Sequence, residues 1–206
     1  MNFNQLLMKT PHKLYLLAIA LVSFTFASCT SEDPEPENDG EVITDVTLTF
    51  QELDDSNNPV GDAMEFTASD SEGIEIGGTP EIETVMLTAG KTYQMSVEVF
   101  NSIAGEDITE EISEEADEHQ FYFLGSAFVG TPVLTYQYDD EGGINLGLNG
   151  IVSVVADPST NNATMQVLLR HDLDKNYPGA DNPNFTDYAQ AGGESDLDIT
   201  FPVIIE

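Results

Sequence analysis

Tyr93-Gln94-Met95-Ser96-Val97-Glu98-Val99 places an apolar side chain at every second position with a polar one between. A period of two belongs to an extended strand with one face buried and the other wet. The same alternation runs through Val42, Val46, Leu48 and Phe50, spaced by Thr and Asp. Outward from these two segments, apolar and β-branched runs at 64–68, 82–88, 120–124, 133–138, 146–156, 163–170 and 197–205 are further strands. Turn chemistry separates them: Asn57-Asn58-Pro59, Gly77-Gly78, Ala89-Gly90-Lys91, Glu141-Gly142-Gly143 and Asp157-Pro158 with Asn161-Asn162. Eight to nine short strands so punctuated predict an all-β fold, an antiparallel β-sandwich in an immunoglobulin-like arrangement, with a small barrel as the alternative. Neither a Walker loop nor a G-x-G-x-x-G loop is present, and strands do not alternate with helices, which disfavours a doubly wound α/β fold.

One segment departs from this rhythm. Between Glu106 and Glu118, eight of thirteen residues are acidic, and Ile108, Ile112 and Ala116 recur at helical spacing. Asp107 with Glu110 three residues on predicts an N-terminal cap, and acids in the first turn suit the helix dipole. The expectation is one short acidic helix at an edge or end of the sandwich. Its charge run is either a solvated face or a surface for a cation or partner.

The chain has 206 residues, 38 Asp and Glu against 5 Lys and Arg, three His and one Cys, with a net charge of −33. A hydrophobic fraction of 40% is enough for a packed core. No basic face exists to meet nucleic-acid phosphates, so nucleic acid is not an expected partner. All the acids follow residue 31, whereas Lys9, His12 and Lys13 stand at the start and precede an uncharged apolar run of 14 residues, 14–27. That run is shorter than the roughly 20 residues of a membrane-spanning helix and has the length of a signal-peptide core. It ends in Phe26-Ala27-Ser28-Cys29, which resembles a bacterial lipobox, although Leu is more usual at the place of Phe26. The resemblance implies that Cys29, the sole cysteine, is lipidated and becomes the new N-terminus. The alternative is an ordinary secretory signal with an incidental cysteine.

Residues 29–41 follow as a run of acids, Pro, Asn and Gly that can build no core, a self-repelling tether. Ser31 followed by acids resembles the surface-export signal of lipoproteins in the Bacteroidota. The expected plan is a lipoprotein signal peptide over 1–28, an acidic tether over 29–41 and a β-sandwich domain over 42–206. The expected location is the outer membrane, lipid-anchored at the cell surface, with the periplasmic face as the alternative. Removing the first 28 residues takes Lys9 and Lys13 with them and shifts the net charge from −33 to −35.

Few side chains in the sandwich carry reactive chemistry. His119 shares a strand face with Phe121 and Phe123, and His171 follows Val167 and Leu169 on its own face, so both look inward. Each is either a packed, hydrogen-bonded core residue or, if the two converge, part of a transition-metal site completed by carboxylates such as Asp172 or Glu118. No two histidines lie at i, i+2 or i, i+4, so convergence depends on strand pairing. Calcium is the other cofactor to weigh. Residues 137–148 carry acids at loop positions three and five and Gly at six, but Gln137 and Leu148 hold the first and twelfth positions, where acids are required. Asp172-Leu173-Asp174-Lys175-Asn176 offers a second acidic cluster with Tyr177 where a glycine is needed.

The longest connection runs from His171 to Ser195 and holds Tyr177, Phe185 and Tyr188 amid Asp and Asn. Long loops in compact domains are commonly functional. These aromatics either receive a sugar or protein partner or pack back and staple the loop. Arg170 beside them is expected to pair with an acid of the helix or the loop. No G-x-S-x-G elbow or H-E-x-x-H helix is present, and carboxylate pairs in so acidic a chain discriminate nothing, so the chain is not expected to be an enzyme.

Glu110-Glu111-Ile112, the run Asp117-Glu118-His119-Gln120-Phe121-Tyr122-Phe123, Tyr138-Asp139-Asp140 with Leu146-Gly147-Leu148, the run Leu168-Leu169-Arg170-His171-Asp172-Leu173-Asp174-Lys175, and Phe201-Pro202-Val203 together resemble a group of small lipoproteins of the Bacteroidota. These often carry the label "type 1 periplasmic binding fold superfamily protein"; the two-lobed α/β architecture of that label is not what the antiparallel strands here predict. The resemblance covers most of 41–206 and implies a lipoprotein acting beside a TonB-dependent receptor in nutrient or metal uptake. It supplies no catalytic residue. Two functions stand side by side: a non-catalytic binding module for a metal ion or small nutrient, and an adhesion or envelope-interaction module with no small ligand.

Overall fold

The alternating segments pair into two sheets that bury their apolar faces against each other. In a computed structural model, which describes residues 42–76 and 78–206, the strands in chain order are β1 Asp45–Leu53, β2 Met64–Ser69, β3 Glu81–Ile82, β4 Val85–Leu87, β5 Thr92–Asn101 and β6 Glu106–Asp107. Helix α1, Ile108–Glu114, comes next, followed by β7 His119–Leu124, β8 Leu134–Tyr138, β9 Asn149–Val154, β10 Asn162–His171 and β11 Glu194–Ile205. The larger sheet has the order β3-β2-β1-β5-β9-β8, with β6 paired to β5, and the smaller has the order β4-β11-β10-β7. Among the described residues, only the β4–β11 pairing is parallel. Without the β2–β3 hairpin and β6, the order β1-β5-β9-β8 facing β11-β10-β7 is the strand order of an immunoglobulin-type sandwich. The protein is an all-β sandwich, and all of its described residues fall in one compact unit. The signal segment, Cys29, the tether and Gly77 lie outside the described residues.

The inward positions are those that the period of two selects: Val46, Leu48 and Phe50 on β1, Tyr93, Met95, Val97 and Val99 on β5, Val167 and Leu169 on β10, Leu197, Ile199 and Phe201 on β11. Phe50 meets Phe66 and Tyr93 edge-on, at 5.9 and 6.2 Å between ring centroids, and Phe123 lies 4.0 Å from Tyr136 across the sandwich. Three segments differ from expectation. The run 82–88 is two strands in different sheets, because the chain crosses between layers after β3; Glu83 seals the crossing, its carboxylate accepting from Thr67 N at 2.8 Å. The strand predicted over 146–156 begins only at Asn149, because Asp140 accepts from the backbone N–H groups of Leu146, Gly147 and Asn149 and curls the preceding segment. The helix is shorter than the acidic run. Asp107 caps it by accepting from Thr109 N, and Ile108 and Ile112 bury its inner face, but Glu106 and Asp107 pair with β5 instead. Thr109 docks it by exchanging hydrogen bonds with both backbone groups of Val99.

Deleting a core ring opens a cavity that the two sheets can only partly collapse around. Phe123→Ala is expected to lower unfolding free energy by about 3–5 kcal/mol, read as a lowered denaturant midpoint at unchanged slope.

Candidate functional site

Strand pairing decides whether the histidines meet. Because β7 and β10 are antiparallel, the first residue of one lies opposite the last of the other, and His119 and His171 are direct register partners. Their rings stack with centroids 4.4 Å apart and planes 11° from parallel. The convergence that the metal reading required is present, at the end of the smaller sheet just below the C-terminus of α1.

A third group reaches the pair from β11. Leu169 pairs with Leu197 but Arg170 pairs with Ser195, so Asp196 is the extra residue of a β-bulge. Strict alternation outward from Leu197 would send Asp196 to the outer face; the bulge turns it toward the histidines instead. Its Oδ2 lies 3.7 Å from His119 Nε2 and 3.9 Å from His171 Nδ1. His119 is 1% exposed and the Asp196 side chain 6%, and neither His119 Nε2 nor Asp196 Oδ2 has a hydrogen-bond partner. Burial raises the Asp196 carboxyl above the ordinary aspartate value, against the opposing pull of His171, His119 and Arg170.

On the solvent side stand three exposed carboxylates. Glu115, four residues before His119, brings Oε2 to 3.9 Å from His119 Nδ1, and the Glu115 carbonyl lies 3.3 Å from the same nitrogen. Glu118 Oε2 is 3.6 Å and Asp172 Oδ1 3.9 Å from His171 Nε2. Two sets therefore place their ligand atoms within 4.8 Å of one another: Glu115 with both histidines, and Glu118 with His171 and Asp172. Asp172 sits in the left-handed region, φ 57°, which Asp tolerates better than most residues, and its N–H donates to Glu118 O at 3.0 Å.

The long loop packs back onto the sandwich. Tyr177, Phe185 and Tyr188 are partly buried against a second apolar cluster, Tyr122, Leu124, Leu168, Leu173, Ala180 and Ala191, on the outer face of β7 and β10. Asn184 Nδ2 donates to Phe123 O and Phe123 N to Pro183 O, so the loop also occupies the free edge of β7. The expected ion pair of Arg170 is replaced by hydrogen bonds to Gly192 O, Gly193 O and Ser195 Oγ, with the guanidinium over the Tyr188 ring. The loop's return, not its acids, turns toward Arg170. Gly193, φ 72°, admits no side chain, because a Cβ there would lie 2.0 Å from His171 O. Beneath the loop, burial pushes the Tyr122 phenol up to about 12.

Of the site residues read from sequence, His119, His171, Asp172 and Glu118 come together, whereas the loop aromatics pack away from them. Asp196 and Glu115 were missed. Glu115 carried a signal in its spacing of four from His119; Asp196 carried none, because only the bulge brings it inward. Both acidic segments weighed for calcium have carboxylates engaged with backbone: Asp140 as described, and Asp174 accepting from Asn176 N. No family model, curated protein or solved structure matches this chain.

Lys175 closes the top of this region. Its Nζ donates to Ala116 O at 2.5 Å, a carbonyl just beyond a helix with no basic residue in its last turn, and to Asn145 O at 3.2 Å. Burial lowers its pKa from 10.5 to about 8, against Asp140 and Asp117, which favour the charged form. Between these values the unfolded chain holds a proton that the folded chain does not, so stability rises with pH across this window. A Lys175→Met variant is expected to lack that rise between pH 8 and 10.5 while matching the wild-type slope just below it, as measured by denaturant titration at each pH.

Proposed function

We propose that this chain is an outer-membrane lipoprotein, anchored through Cys29 and facing the cell surface, whose sandwich is a non-catalytic binding module. Its ligand on this reading is a metal ion or small nutrient captured beside a TonB-dependent receptor. The observation that carries the reading is the stacked pair His119 and His171, held 4.4 Å apart and ringed by carboxylates. Imidazole with carboxylate suits zinc, copper or iron, and the large negative charge raises the local concentration of cations. The adhesion alternative draws less support, because the aromatic side chains that would form its contact surface pack against the second apolar cluster.

Two measurements test this. Metal analysis after dialysis against first-row divalent ions is expected to find about one equivalent on the wild type and a large loss in His171→Ala; equal loading of both would sink the metal reading. Cys29→Ser is expected to abolish acyl labelling and release the protein from membranes, and protease treatment of intact cells separates surface display from the periplasmic face.

A further inference from the structure

We infer that Asp196 is the third ligand of a buried site for a divalent first-row transition metal of the zinc class, with His119 Nε2 and His171 Nδ1 as its partners. This rests on the reading of the histidine pair as a binding site and adds to it the ligand that makes the site internal. The Glu115 carbonyl can only accept, so in the neutral ring of His119 the Nδ1 facing it carries the proton and Nε2 presents a lone pair. That lone pair faces the Asp196 carboxylate oxygen across 3.7 Å, both atoms being buried and neither having a hydrogen-bond partner. Two electron-rich atoms facing each other in a dry interior are destabilising unless something positive lies between them.

Two of the three ligand spacings suit a metal ion. The third, between the two histidine nitrogens, is wider: Glu115, and not Asp196, joins both histidines in a set whose ligand atoms all lie within 4.8 Å of one another. Two bonds of about 2.0–2.1 Å at a tetrahedral angle hold their ligand atoms about 3.4 Å apart. Asp196 Oδ2 stands 3.7 and 3.9 Å from its two nitrogens, too far for hydrogen bonds and a few tenths of an ångström from that spacing. The rings are 11° from parallel, so their lone pairs lie in nearly parallel planes, and the His171 ring, 15% exposed, must turn about its Cβ–Cγ bond to close on the ion while His119 keeps its contact with the Glu115 carbonyl. A ring nitrogen donating to a backbone carbonyl, as Nδ1 of His119 does, is the outer-shell support that fixes a metal-bound imidazole. The exposed carboxylates Glu115, Glu118 and Asp172, 50%, 52% and 71% exposed, form the negative mouth through which a cation reaches the interior. A metal held here ties the start of β7, the end of β10 and the start of β11 together and closes the base of the long loop.

The test titrates the purified full chain, stripped of metal, with Zn2+ alone in a calorimeter and follows its melting temperature. Wild type is expected to bind one ion and melt higher with it. Asp196→Asn, of equal size, is expected to weaken binding by at least the roughly 100-fold upper end of what loss of an outer-shell partner costs. The triple variant Glu115→Gln, Glu118→Gln, Asp172→Asn is expected to weaken it less than about 10-fold, consistent with an electrostatic mouth and not a ligand set. X-ray absorption of zinc-loaded wild type needs no variant and is expected to show two imidazoles with a carboxylate oxygen. Binding that survives Asp196→Asn and is lost in His171→Ala overturns the assignment of Asp196 and leaves the histidine-pair reading standing. Loss only in the triple variant, or an all-oxygen shell, overturns the internal site. No Zn2+ binding by wild type removes both.

Discussion

Much of what is distinctive in this sandwich follows from β7 and the later part of β10, Val167–Arg170, being buried on both faces. Their inner faces, with Phe121, Phe123, Val167 and Leu169, belong to the core between the sheets, and their outer faces, with Tyr122, Leu124 and Leu168, would meet water in a bare immunoglobulin-type domain. Burying a large side chain of this kind stabilises by roughly 1.5–3 kcal/mol, so the outer face demands a cover. The long loop supplies it with Leu173, Ala180 and Ala191, and hydrogen bonds to backbone oxygens hold it down: Tyr122 Oη and Gln120 Nε2 both donate to Ala180 O, at 3.0 and 2.6 Å. A loop anchored so closely over β7 and β10 must leave β10 and rejoin β11 near one point. That point is where His171 ends one strand and Asp196 bulges from the other.

The bulge is the local expression of the same constraint. Arg170 points outward beneath the loop and holds Gly192 and Gly193 by their carbonyls, while Gly193 presses on the His171 carbonyl too closely for any Cβ. A regular ladder would keep Asp196 on the outer face with Arg170. The extra residue lets Ser195 pair with Arg170 and sends the carboxylate to the other side. The return of the loop and the inward turn of Asp196 thus share one change of register.

This explains how much was legible in the sequence. Alternation at 93–99 and in the seven other segments whose strands formed needs only local periodicity, and the strands stand close to where the side chains place them. The cap at Asp107 is equally local. Inward-facing His119 and His171 were legible as faces, but their meeting is a property of register, which the residues between 124 and 162 decide together. Asp196 was hidden altogether, since Leu197, Ile199, Phe201 and Val203 make a regular pattern in which a preceding acid reads as solvated. The crossing after β3 was hidden for a related reason: a continuous apolar run does not record which sheet each half joins. The loop aromatics were ambiguous because an aromatic among acids suits a ligand and a staple alike, and only the unmet apolar outer face of β7 and β10 selects the staple.

The few cations of the described residues bear on why a positive ion suits this end of the molecule. Lys91 pairs with Glu52 at the surface, far along the chain from the histidines, at 2.6 Å. Arg170 and Lys175, which lie near them in sequence, direct their hydrogen bonds to backbone carbonyls and the Ser195 hydroxyl, and neither forms an ion pair with the carboxylates around the imidazoles. Among the described residues, Glu115, Glu118, Asp172 and Asp196 therefore converge on two imidazoles with no lysine or arginine ion-paired to them, and Arg170 acts on Asp196 only at longer range. In a surface cluster, water and salt would screen that imbalance. Here one of the four carboxylates is buried, and screening does not reach it in the same degree. His119 presents its unpartnered nitrogen to that buried carboxylate, and on the proposed reading a bound cation is the partner that neutralises the pair.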